Sequence, residues 1–384
     1  MPPISFSAAD IVLCLIIFQL LFASLYLFSL ERGKRVSNGL LGGFFLTFAL
    51  NFMDTLLLMK GVYFQYPAWG LWGTNMALLF GPLLYLYTRS VIYRDFYLRP
   101  QHSLHALPFL TLTAVSLAGY YSLTHDQKQQ LLRQILAQSL PSSFYLVSAL
   151  IFLHFFAYLA LSLLLIRRYR RTLNQNFSDI QNKNLSWLRS TILFFLIFFW
   201  IGAFRSFLIY TPLVSYQFVI LISLLLGLLW FINRFLFRAL QQPDFFLGIT
   251  EEILQPVPPP ETSPTTPSSA DHMALLQQLA SYMATQKPWL QPELTLDDLA
   301  DQLGVRPKTL SQAINDGLGQ HFFDYINRYR IEEARRLLTN PPDPKITVLE
   351  VMYKVGFNSK SSFNTLFKKY TGRTPSEVKA GRGL

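Results

Sequence analysis

Seven apolar stretches fill most of the first 240 residues of this 384-residue chain. They run over 9–30, 39–59, 69–93, 104–123, 144–166, 187–210 and 215–237. Each is long enough to cross roughly 30 Å of hydrocarbon as a helix. The first has no basic stretch before it and no small-residue cleavage site after it, so it reads as an uncleaved span and not as a signal peptide. Only 14% of the chain is charged, against about 25% in soluble proteins. That counts against an ordinary soluble enzyme and against a disordered chain. The lone Cys14 excludes an internal disulfide and a cysteine-based zinc site.

The basic residues between the stretches are unevenly placed. One side holds Arg32, Lys34, Arg35, Arg89, Arg94, Arg99, Arg167, Arg168, Arg170, Arg171, Lys183, Arg189, Arg234 and Arg238. The other holds only Lys60, Lys128 and Arg133. The rich side is cytoplasmic by the positive-inside rule, which places the N-terminus outside and residues 238–384 in the cytoplasm. Trp69 and Trp72 read as outer interfacial anchors and Trp187 as an inner one. The outer loop 124–143 spaces Leu131, Leu132, Ile135 and Leu136 as one stripe, which predicts a small amphipathic helix.

Polar groups inside the stretches are few. Asn51 and Asp54 share a helix face in the second, Asn75 lies in the third, His154 in the fifth and Arg205 in the sixth. Ionisable residues at membrane depth are costly and face the bundle interior. Asn51, Asp54 and Arg205 are therefore candidate intramembrane sensing residues, with an Asp54–Arg205 ion pair expected; the alternative is that they only lock the bundle. His154 reads as a packing residue.

Charge changes character after residue 240. Residues 1–240 carry a net +12 and residues 241–384 a net −1. Within 241–272 there are five acids and no Lys or Arg, and 255–270 reads QPVPPPETSPTTPSSA, so this segment is an extended linker. About 23 such residues span roughly 25 Å on average. Helical periodicity then returns with Leu275, Leu276, Leu279 and Met283.

A repeat at an offset of 52 residues follows, LDDLADQLGVRPKTLSQAI (296–314) matching VLEVMYKVGFNSKSSFNTLF (348–367). Each copy is a short helix, a turn with glycine and a second helix, the helix-turn-helix plan. Thr347 with Glu350 is a capping box, and Thr374, Pro375 and Glu377 start a final helix. The run 321–339 joins the copies and spans about 28 Å, close to one turn of DNA. Residues 304–384 carry a net +7, as phosphate binding requires.

FFDYINRYRIEEARRLL (322–338) and ITVLEVMYKVGFNSKSSFNTLFKKYTGRTPSEV (346–378) resemble the AraC/XylS family of bacterial transcription regulators. The resemblance covers about 100 residues; regulators joining such a domain to a multi-span membrane region are known. It implies two helix-turn-helix units gripping successive major grooves. By family position, base contacts fall on Lys308, Ser311 and Gln312 in the first recognition helix and on Lys360, Ser361, Asn364 and Thr365 in the second. Lysine suits guanine acceptors and Gln or Asn suits adenine. Arg306, Lys368, Lys369 and Arg373 are placed for phosphates. Met352 stands where the family usually has a small alanine, and the first recognition helix carries few arginines.

The expected architecture is all-α: a seven-span bundle over 1–240, a linker over 241–272 and a DNA-binding domain over 273–384. The expected function is a one-component transcription regulator in the bacterial cytoplasmic membrane. Its partners would be double-stranded promoter DNA, lipid, RNA polymerase, a second copy of the chain, and a signal ligand or membrane partner. No cofactor, metal or enzymatic activity is expected, because no metal-binding His pair, Gly-rich phosphate loop or Ser/His/Asp motif stands in the sequence. The rival readings are a membrane transporter or enzyme with a regulatory DNA-binding tail, and a bundle that is only an anchor.

Overall fold

The computed structural model describes residues 6–31, 33–93, 95–137, 139, 142–180, 185–208, 211–241 and 269–381. Arg32, Arg94 and Lys183 of the basic set, and 242–268 of the expected linker, lie outside the described residues. The regular structure is helical, and among the described residues the β-structure is an isolated antiparallel bridge, Phe177 to Thr295. The chain divides into two compact units. One comprises 1–166 and 185–251; the other comprises 167–184 and 252–384.

In the first unit, α1 (Ala8–Ser29) starts with a capping box in which Ser7 and Asp10 exchange hydrogen bonds. It packs on α2 (Arg35–Met59), which also packs on α4 (Ala77–Ile92) beyond the single turn α3 (Val62–Gln65). The Ser24 hydroxyl donates to the Gly42 carbonyl across the α1–α2 contact, a close approach that leaves no room for a Cβ at Gly42. Then come α5 (Leu107–Ala118), α6 (His125–Leu136), α7 (Ser142–Asn176), α8 (Ser186–Phe207) and α9 (Gln217–Gln241). A phenylalanine cluster of Phe44, Phe48, Phe80, Phe195 and Phe199 fills the centre, with ring centroids 4.8–6.2 Å apart. Edge-to-face pairs of this kind add to simple area burial.

Among the described residues, six helical segments are long and apolar enough to cross a membrane: 8–29, 35–59, 100–122, 144–176, 186–207 and 217–237. The expected third crossing differs. Within 69–93 the regular helix α4 has 16 residues, about 24 Å, preceded by single 3-10 turns at Pro67–Trp69 and Thr74–Met76. The apolar count of 69–93 is right, but Gly70, Gly73 and the Thr74 turn break its backbone. The amphipathic helix predicted in 124–143 is α6, capped by Thr124 and Gln127, with Leu132 fully buried. α7 exceeds its apolar stretch. Its 35 residues span about 52 Å and carry Arg167, Arg168, Arg170 and Arg171 in one unbroken helix.

In the second unit, α10 (Ser269–Thr285), α11 (Leu296–Leu303) and α12 (Pro307–Gln312) close a core with the first half of α13 (Phe322–Thr339). Leu279, Met283, Trp289, Leu299, Leu310, Ile314 and Ile326 fill it. The second half of α13 builds another core with α14 (Val348–Lys354), α15 (Lys360–Thr371) and α16 (Pro375–Lys379). Met352 is buried in that core beside Val351, Phe363 and Phe367. The expected capping boxes at Thr347 and Thr374 form, and Thr295 with Asp298 makes another at α11. Asp298 stands where the sequence template asks for Glu or Gln.

Gly356 sits at φ +85°, and a Cβ there would meet the Leu290 carbonyl oxygen at 2.7 Å. Backbone strain and collision therefore coincide where the second unit's turn touches the 289–290 segment. Gly356→Ala should destabilise the C-terminal domain by about 1–3 kcal/mol, read as a lower denaturant midpoint, whereas Gly304→Ala, at φ +67° with open space around it, should cost less.

Candidate nucleic-acid interface

Two helix-turn-helix units, α11–α12 and α14–α15, are held on the shared helix α13, whose 18 residues span about 27 Å. Their second helices carry the residues singled out from sequence. In α12, Lys308, Ser311 and Gln312 are spaced i, i+3, i+4 and share one face; Lys308 and Gln312 are exposed. Ser311 is half-buried, and its hydroxyl accepts from the Asn315 amide at 3.3 Å. In α15, Ser361, Asn364 and Thr365 repeat that spacing, with Ser361 and Thr365 exposed, Asn364 half-buried and Lys360 exposed at the helix start. Leu310 and Phe363, on the inward faces, are fully buried. Each helix thus anchors by apolar residues and turns short polar side chains outward.

These features, two turns with left-handed or near-helical caps, paired cores and outward polar faces, agree with the comparisons. Residues 299–381 match the family model described as a helix-turn-helix domain. The chain is 29% identical over 111 residues to the HTH-type transcriptional activator RhaS of Escherichia coli O1:K1 / APEC, and equally to RhaS of Escherichia coli K12 / DH10B. The C-terminal domain is of the AraC/XylS type. The match covers 28% of this chain and 39% of each RhaS, so the chain spans about two fifths of the length of the curated relatives it matches. Among solved structures, the C-terminal domain of AraT, a response regulator from Geobacillus stearothermophilus, is 30% identical over 28% of this chain and 86% of that one, with a TM-score of 0.25. A protein of unknown function from Listeria innocua is 27% identical over 28% of this chain and 95% of that one, also with a TM-score of 0.25.

The AraC/XylS-type domain implies double-stranded DNA as partner, and its basic residues differ in readiness for phosphate. Arg306 is exposed at the N-cap of α12, and Lys368 is exposed in the last turn of α15. Lys369 is already engaged: its ammonium donates to the Asp324 carboxylate at 2.8 Å, which also accepts from the Tyr370 hydroxyl at 2.7 Å. Burial pushes the Asp324 carboxyl up, but the Lys369 and Tyr370 hydrogen bonds outweigh it and hold the group below the usual carboxylate range. This pairing ties α13 to α15 across 45 residues.

Sequence reasoning missed Arg330. Its guanidinium is 1% exposed on α13 and donates to the carbonyls of Trp289 at 2.7 Å, Gln291 at 2.5 Å and Pro292 at 3.2 Å. It also lies 5.7 Å from the Phe357 ring centroid. Within the C-terminal domain it thereby joins the 289–292 segment to the turn of the second helix-turn-helix. Burial pushes the group down to about 10, which still leaves it charged at neutral pH. The RYR run does carry a signal, since a basic residue at an inward position of an amphipathic helix has to find acceptors.

The intramembrane candidates form a different arrangement from the one expected. Asp54 is 2% exposed, and its carboxylate accepts from the Tyr63 hydroxyl at 2.7 Å and the Thr74 hydroxyl at 2.9 Å. Asn51 donates to the Gly73 carbonyl at 3.1 Å, and a Cβ on Gly73 would collide with Asp54. Arg205 does not pair with Asp54; its Nε donates to the Gln217 carbonyl at 3.3 Å. The expected ion pair is therefore replaced by hydroxyl donors brought in by the Val62–Gln65 turn and the Thr74 turn, which the sequence offered no means of folding back onto α2. His154 packs edge-on against Tyr158 at 4.9 Å.

Two tests follow from the recognition face. Asn364→Ala should cost about 1–3 kcal/mol of binding to a selected site while leaving the salt slope unchanged; Lys368→Ala should lower affinity for all duplexes and reduce the slope by about 1. Lys369→Ala should instead lower the domain's stability near neutral pH, with the difference from the parent shrinking toward acid. A depressed folded-state carboxyl stabilises above its unfolded value and loses that contribution as pH falls, so Asp324→Asn and Lys369→Ala should each flatten the acid limb of melting temperature against pH.

Proposed function

We propose that this chain is a one-component transcription regulator embedded in the bacterial cytoplasmic membrane. The apolar unit senses a signal, and the AraC/XylS-type domain binds promoter DNA in two successive major grooves. The observation that carries this reading is the pairing, in one chain, of two outward polar recognition faces with six helices of membrane-crossing length and composition. Lys308, Ser311, Gln312, Lys360, Ser361, Asn364 and Thr365 read bases, while Arg306, Lys368 and Arg373 hold phosphates. Lys369 contributes more by bracing α15 on Asp324 than by reaching DNA.

α4 with its preceding turns makes the seventh crossing. Its helix is short of 30 Å, but non-helical backbone is tolerated at membrane depth where it is buried in protein, as Asn75 and Pro67 are. Sensing is centred on Asn51 and Asp54 with Tyr63 and Thr74, and not on Arg205. Signal alters the alignment of two copies on neighbouring half-sites, which raises avidity without any new base contact. RNA polymerase is the downstream partner.

Alkaline extraction of membranes followed by selection of bound sequences from a random duplex pool tests both halves. The expected outcome is a chain that resists extraction and enriches a bipartite site with half-sites about one helical turn apart. Release into the alkaline supernatant defeats the membrane half; failure to enrich any sequence defeats the regulator half.

A further inference from the structure

The loop between the apolar helices α7 and α8 belongs to the DNA-binding unit and not to the helices it joins. Phe177 forms an antiparallel bridge with Thr295, the N-cap of α11. Ser178 donates to the Leu294 carbonyl twice, from its N–H at 3.3 Å and its hydroxyl at 2.6 Å. The Ser178 carbonyl accepts from the Asn327 amide at 2.9 Å, and the Ser178 hydroxyl accepts from Arg330 Nη2 at 3.2 Å. Phe177, Ser178 and Ile180 are all under 10% exposed, as are Leu294, Asn327 and Arg330 opposite them.

This is a built receiving site. Asn327 and Arg330 stand three apart on α13, on one face, and both aim buried donors at a single residue of the loop. Four polar contacts at a buried junction are specific, because another backbone register would leave the buried Leu294 carbonyl without its Ser178 donors. The recognition residues Lys308, Gln312, Lys360, Ser361 and Thr365 stay exposed with the loop in place. The contact therefore holds the domain without covering its DNA face.

We propose that residues 177–180 are a docking strap, a non-covalent attachment of the first helix-turn-helix unit that acts independently of the 241–272 linker and takes a second segment of this same chain as its partner. Because 167–176 continue α7 as one helix, displacement of α7 or α8 is delivered through the strap to α11 and α13, where a long flexible linker would absorb it. The inference rests on the same reading of the C-terminal domain, but not on membrane insertion.

The test uses the full chain with an N-terminal affinity tag and a protease site placed in 255–270. After detergent extraction and cleavage, the C-terminal fragment should elute with the tagged fragment. In a variant with residues 177–180 replaced by four glycines, the fragment should appear in the flow-through. Before cleavage, that variant should bind a random-sequence duplex at low salt as well as the parent does, which shows that the domain is folded. Ser178→Ala, which keeps the backbone bonds and loses the hydroxyl, should give intermediate retention. Equal retention of parent and four-glycine variant, or release of both, overturns the strap. Neither result bears on DNA recognition, whose failure would appear in the duplex measurement.

Discussion

A buried guanidinium that directs its hydrogen bonds at backbone carbonyls organises the C-terminal domain. Arg330 directs its donors at three carbonyls of the 289–292 connection, rests against Phe357 and reaches Ser178. Desolvating a cation is costly unless it finds acceptors, so the segments that supply them are tied to one side chain. A lysine could not replace it, because the fork of N–H groups is what spans three acceptors. The Gly356 contact with Leu290 lies beside the same junction. The relative placement of the two recognition helices, on which groove spacing depends, therefore follows from packing at 289–292 as much as from the length of α13.

The apolar unit relies on a different currency of cohesion. Among lipid-like helices, area burial discriminates little, and close approach and polar contacts decide the packing. Gly42 under Phe28 with the Ser24 hydrogen bond, Gly81 under Tyr158, and Gly73 under Asp54 each mark a point where only a missing side chain lets elements meet. The buried Asp54 is satisfied by hydroxyls and not by a cation. The turns that bear Tyr63 and Thr74, and not a salt bridge, therefore set how this carboxylate is held.

Much of this was legible in the residues. The repeat at 296–314 and 348–367, the capping boxes at Thr347 and Thr374, and the amphipathic 124–143 segment all became the elements that their spacing predicted. These are local signals, in which periodicity and a side chain three residues away decide the outcome. The failures are non-local. The 69–93 stretch has the hydropathy of a span, yet its glycines allow turns that shorten the helix to α4. The Asp54–Arg205 pair looked necessary because charges need partners, but hydroxyls from other turns were available. Phe177 to Ile180 show no periodicity and read as an ordinary inner loop; their partners lie 116 to 152 residues further along the chain.

Assignment of 167–184 and 252–384 to one compact unit also has a topological consequence. In the proposed membrane reading, segments that fold together share a compartment, so the chain between them crosses the bilayer an even number of times. In that reading α8 and α9, which lie between them, form a membrane hairpin. This parity owes nothing to the distribution of lysine and arginine. It also makes the location of the DNA-binding domain independent of whether α4 is counted as a crossing; only the side of the N-terminus depends on that count.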